Sequence, residues 1–173
     1  MAPHLNNDQQ QLLASLPHTI GSAMAFAGKS GLFGTGKEMF TNGLALIEGA
    51  KQFPVNALIQ SIVPHPEAAD RNAELAEMKE TRVWMKNRIT EKKIDSQEKI
   101  TALALDDARQ ANALLATLDT TQANEYRQWV LAAAEKVAMA ATEGGFLGFG
   151  GERFSEDEKK LLAELKTALG VAG

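Results

Sequence analysis

From Leu12 to Leu169 the apolar residues of this chain recur every three or four positions, the period of an amphipathic helix. No stretch shows a sustained two-residue alternation rich in β-branched residues, so the pattern predicts an all-α protein, a multi-helix bundle. Leu13, Leu16, Ile20, Met24 and Ala27 form one stripe, opened by Asn6, Asn7 and Asp8 as capping acceptors. Pro17 interrupts it. Because proline has no amide for the carbonyl four residues back, a kink is expected there, or a helix ending near Ser15 that then restarts. Thr35 and Glu38 have capping-box spacing and predict a second helix with Phe40, Leu44 and Ile47 inward, stopping before Pro54. Pro54 then begins a short helix with Val55, Leu58, Ile59 and Ile62 on its apolar side, closed by Pro64 and Pro66.

From Glu67 to about Lys93 the chain is highly charged, yet Leu75, Met78, Met85 and Ile89 keep helical spacing around Arg82. This predicts a long, solvated helix with a thin seam. Asp95-Ser96-Gln97-Glu98 has capping-box spacing ahead of a stripe of Ile100, Ala104, Ala108, Ala111, Leu115 and Leu118. Thr120 or Thr121 is placed to cap a helix with Tyr126, Val130, Ala133, Val137 and Ala141 inward and Trp129 one position off that stripe. Ser155-Glu156-Asp157-Glu158 is the clearest cap of all, and Leu161, Leu162, Leu165 and Leu169 complete the last helix before Gly170.

The two ends resemble each other. Shifting AMAFAGKSGLFGTGKEMF by 114 positions lays Gly31, Gly34 and Gly36 onto Gly145, Gly148 and Gly150, Glu38 onto Glu152, and Phe40 onto Phe154. The chain thus reads as a single helical domain over residues 1–173, with pseudo-repeats of a helix, a Gly-rich loop and a helix at about 8–63 and 120–170, joined by charged helices at about 67–118. Glycine at matching places suits hairpins whose helix ends must approach closely, and Leu32, Phe33, Phe146, Leu147 and Phe149 are suited to plugging the loops against the core.

Composition removes several functions. A chain of 173 residues can bury a sizeable core. Its formal net charge of −4, with no basic cluster interleaved with aromatics, gives no footprint for nucleic acid. The absence of cysteine excludes disulfides, thiolate nucleophiles and thiolate metal sites, and fits a reducing compartment. The start MAPHLNND has neither a basic nor an apolar signal region, and the apolar run Leu12 to Phe26 is shorter than the ~20 residues of a spanning helix. The expectation is a soluble cytoplasmic protein with no transmembrane segment.

Candidate chemistry is sparse. Gly31 to Lys37 has the glycine and lysine spacing of a phosphate loop, but Glu38 stands where Ser or Thr would hold magnesium, and a helix precedes it in place of a strand. The Gly-rich loops, with Gly31, Gly34, Gly36, Lys37, Gly145, Gly148 and Gly150, are read first as structural and second as small-anion sites at helix N-termini. Glu38 and Glu152 are candidate metal ligands, without the histidine partners of a di-iron bundle or the alternating oxygens of a calcium loop. His4, His18 and His65 have no local ligand partner and are read as incidental; Asp106-Asp107 and Glu156-Asp157-Glu158 are read as solvated helix surface and dipole complement. No nucleophile elbow is present, and neither an enzymatic activity nor a cofactor is expected.

The C-terminal third, AMAATEGGFLGFGGERFSEDEKKLLAELKTALG, resembles a widespread group of uncharacterised bacterial helical proteins, and more distantly the duplicated α-helical TerB-like tellurite-resistance proteins. That resemblance implies an all-α fold, and would place metal binding around Glu143, Glu152 and Glu156. The residues themselves favour a non-enzymatic module that acts through a protein partner or as a homo-oligomer. The charged helix from Glu67 to Lys93 is its candidate contact surface, because it has less to bury than its neighbours. The alternative is a metal- or small-anion-binding protein built on the two loop-to-helix junctions.

Overall fold

A computed structural model describes residues 5–27, 35–64, 71–143 and 155–171, and no strand occurs among them. The helices are α1 Asn7–Ala27, α2 Thr35–Ala50, α3 Ala57–Gln60, α4 Arg71–Glu91, α5 Gln97–Leu115, α6 Thr120–Glu143 and α7 Glu156–Ala168. Around α1 pack α5, α6, α2, α4 and α7; α2 and α3 also pack on α6, and α5 on α7. The apolar stripe read from the sequence is buried as expected, but Leu12, Pro17, Gly21 and Ala23 are buried too, so α1 lies in the middle of the bundle rather than on its rim.

α1 runs as one helix through Pro17, so of the two expected alternatives the end near Ser15 and restart does not occur. The missing amide frees the carbonyl of Leu13, and the Tyr126 hydroxyl of α6 donates to that oxygen at 2.6 Å. The hydroxyls buried in α1 are satisfied within the helix, Ser15 donating to the Leu12 carbonyl and Thr19 to that of Ser15, both at 3.2 Å.

The caps follow local chemistry. Asn6 and Gln9 form a reciprocal box, the Asn6 side chain accepting from the Gln9 amide at 2.9 Å and the Gln9 side chain from the Asn6 amide at 3.0 Å. Ser155 and Glu158 form the expected box of α7, at 3.2 and 2.7 Å. Three expectations are displaced by a residue or so. Ser96 rather than Asp95 caps α5, accepting from the Lys99 amide. Asp119 rather than a threonine caps α6, its carboxylate accepting from the Gln122 amide at 3.0 Å. Asn56 rather than Pro54 opens α3, which leaves Val55 88% exposed instead of inward. In each case a shorter or more strongly accepting side chain stands nearer the free amides.

On α2 the buried face also differs from expectation, with Ala45, Leu46, Gly49 and Ala50 buried and Leu44 turned outward. The cause is Trp129 of α6. A Cβ on Gly49 would lie 3.0 Å from its ring, and its indole nitrogen donates to the Leu46 carbonyl at 3.0 Å, so the small-residue side of α2 must face it.

Shifted by 114 positions, α1 would span 121–141, close to α6, but α2 would span 149–164 whereas α7 starts at Glu156. The helix boundaries therefore do not carry the duplicated unit through its second helix. Most of both Gly-rich loops, including Gly31, Gly34, Gly145, Gly148 and Gly150, lies outside the described residues.

Candidate functional site

α4 is the least embedded of the long helices. Thr81, Trp84, Met85 and Arg88 are half-buried against the bundle, whereas every side chain from Leu75 to Glu80 is exposed. The C-terminal half is fixed by Arg88, whose guanidinium donates two hydrogen bonds, of 2.7 and 2.6 Å, to the carboxylate of Asp107 on α5. Asp107 is fully buried, so this is a charge-assisted fork in a low dielectric. The same guanidinium stacks 4.6 Å from the Trp84 ring centroid. A cavity of about 20 Å³ between α1, α4 and α5, lined by residues including Thr19, Trp84 and Ile89, has room for roughly one water and none for a metabolite.

His18 of α1 lies on this junction. Burial, and secondarily the charge of Arg82 on α4, hold its imidazole below the ordinary value of 6.5. It is thus no incidental surface residue. α4 ends in a Schellman turn, with the Ile94 amide donating to the Ile89 carbonyl at 3.0 Å and Lys93 at φ 50° in the position glycine usually fills.

The free side of α4 carries the seam. Leu75 is 56% exposed and Met78 39%, while Ile89, partly exposed, also lines the small cavity against α1 and α5. Lys79, Arg82 and Lys86 are exposed on the same side, and none of them forms an ion pair with a described residue. At 100° per residue, Glu77, Glu80 and Glu91 project from the other side.

The remaining sequence-derived candidates do not converge. Gly36, Lys37 and Glu38 belong to the first turn of α2, and Glu143 to the last turn of α6, but their side chains, together with His4, His65 and Glu152, lie outside the described residues. Glu156 is exposed and paired with Lys159 at 2.8 Å. Among the described residues no group of three or more His, Asp or Glu side chains could hold a metal ion. Reading Asp106-Asp107 as solvated surface is corrected for Asp107, which is buried and paired with Arg88; Asp106 accepts from Gln110 at 2.9 Å. Position tells them apart: Asp107 falls on the stripe of Ala104, Ala108 and Ala111, and a carboxylate on an apolar stripe signals a buried partner.

Other polar ties missed by sequence are structural. The Asn56 amide donates to the Gln122 carbonyl at 3.1 Å and to the Glu125 carboxylate at 2.8 Å, tying α3 to α6. Arg127 donates to the Leu169 carbonyl and to the Asn112 side chain, both at 2.8 Å, which ties α6 to α7 and α5. No model of a known protein family, no curated protein and no solved structure matches this chain.

Proposed function

We propose that the protein is a non-enzymatic interaction module whose contact element is α4. The observation that carries this reading is the helix's exposed apolar seam, with Leu75 56% exposed and Met78 39%, on an element whose described side chains meet the bundle only from Thr81 onward. Covering such half-exposed side chains is worth about 1 kcal/mol each, the scale of a weak, reversible contact rather than a permanent one. The fixed C-terminal half supports the reading from the other side. With Arg88 clamped to buried Asp107, the seam is held at a set angle to the bundle, and a partner would meet a preorganised helix instead of ordering a loose one.

The test is a photo-reactive amino acid placed at Leu75 in the cell that makes the protein, with Gln110, exposed on α5, as the control position. A discrete protein adduct at 75 and none at 110 is the expected result. Equal labelling at both, or none at 75, removes α4 as the contact element.

A further inference from the structure

We infer that the partner of α4 is an amphipathic helix with an acidic polar face, lying lengthwise on the seam so that its carboxylates meet Lys79, Arg82 and Lys86. This rests on α4 being the contact element and adds the chemistry of what it contacts. Leu75, Met78, Arg82, Met85 and Ile89 are spaced alternately by three and four residues, the repeat of a coiled-coil seam. The fold leaves the N-terminal part of that seam uncovered, since Leu75, Met78 and Arg82 are exposed, whereas Met85 and Ile89 also line the small cavity against α1 and α5. A helix has no free backbone edge to lend a strand, so a partner that follows this repeat is itself a helix.

Charge selects among helices. Lys79, Arg82 and Lys86 stand at intervals of three and four residues on one side of α4, where like charges oppose the helix that carries them. No described carboxylate neutralises them, and the nearest titratable group of α1, His18, is held toward its neutral form. Glu77, Glu80 and Glu91 lie on the opposite side, so one edge of the seam is lined by cations alone between 79 and 86 although the whole chain carries a formal charge of −4. Carboxylates flanking a partner's apolar stripe would relieve this repulsion and fix the register.

Other occupants match less well. A second copy in parallel would stack Arg82 on its own counterpart, and an antiparallel copy would run the Lys79 and Lys86 edge against itself. An anionic membrane calls for a broad apolar face with cations at its margins, whereas here Arg82 interrupts a narrow stripe.

The experiment uses the full chain and two synthetic helical peptides of about three heptads, both with leucine at the seam positions, one flanked by glutamate and the other by lysine. Binding is read from amide chemical shifts of α4 and from Trp84 fluorescence. The acidic peptide is expected to bind with an affinity that weakens as salt rises, and the basic peptide not to bind. The double variant Arg82→Glu, Lys86→Glu should lose the acidic peptide by about tenfold or more and gain the basic one, with helix content retained because both positions are exposed. Lys86→Glu alone should show an intermediate loss. Neither peptide binding, both binding equally, capture of phosphatidylserine vesicles in their place, or a dimer by light scattering that excludes peptide would each overturn the inference. A specific adduct at position 75 alongside any of these results would retain α4 as the contact element and remove only the acidic partner.

Discussion

Tyr126 supplies to Leu13 the hydrogen bond that Pro17 withholds. Burial pushes the phenol's titration well above its ordinary value of 10.0, so the hydroxyl stays a donor wherever the protein is folded. Tyr126→Phe should cost about 1–3 kcal/mol, because it strands a buried carbonyl rather than exchanging one partner for another. In a Pro17→Ala background the alanine amide takes over that carbonyl, and the same substitution should cost markedly less. A double-mutant cycle by urea denaturation measures the difference, and equal costs in both backgrounds would disprove the compensation. Here the sequence displays the deficit and conceals the remedy. Tyr126 is legible as an inward residue from its stripe with Val130 and Ala133, but a donor 113 residues from its acceptor leaves no local trace.

At the scale of elements, α4 is fastened by one fork and one face. Arg88→Ala leaves the fully buried Asp107 without its partner and should destabilise by about 3–5 kcal/mol. Asp107→Ala should cost less, because Arg88 is 17% exposed and can turn its charge to water. Arg88→Met combined with Asp107→Leu should recover most of the loss, and chemical denaturation showing the reverse order of the single variants would refute this account. The junction of α1 and α4 also responds to acid. Since the folded-state value of His18 is lowered, the unfolded chain takes up the proton first as pH falls. The contribution of His18 is therefore intact above its ordinary value of 6.5 and is lost as pH drops toward the folded-state value. Stability should decline as pH falls below about 6.5, His18→Gln should flatten that decline, and Arg82→Gln should raise the imidazole titration seen by NMR. A His18 that titrates at or above 6.5 in the folded protein would contradict the burial on which this rests. Helix identities, the α4 seam and the α7 capping box were readable from spacing alone. The inward face of α2 was not, because Leu44 and Leu46 look alike in sequence and only the approach of Trp129 to Gly49 separates them.

Across the whole molecule, burial falls off outward from α1. Leu13, Leu16, Ile20 and Met24 are fully enclosed by neighbouring helices, whereas the side chains at 75–80 of α4 are exposed. Amide hydrogen exchange should follow that gradient, slowest in the middle of α1 and the facing part of α6 and fastest between 75 and 80, where opening exposes little apolar surface. Protection of residues 75–80 equal to that of α1 would mean that α4 is bound into the core. By itself the sequence determined what lies within one turn of helix: the all-α class, the stripes and most helix ends, because period and capping depend on residues three or four apart. Only tertiary structure decided which helix stands at the centre, which carboxylate of Asp106-Asp107 is buried, what completes the helix at Pro17 and which seam is left uncovered. Each of these is a property of two surfaces meeting, and neither surface alone contains it.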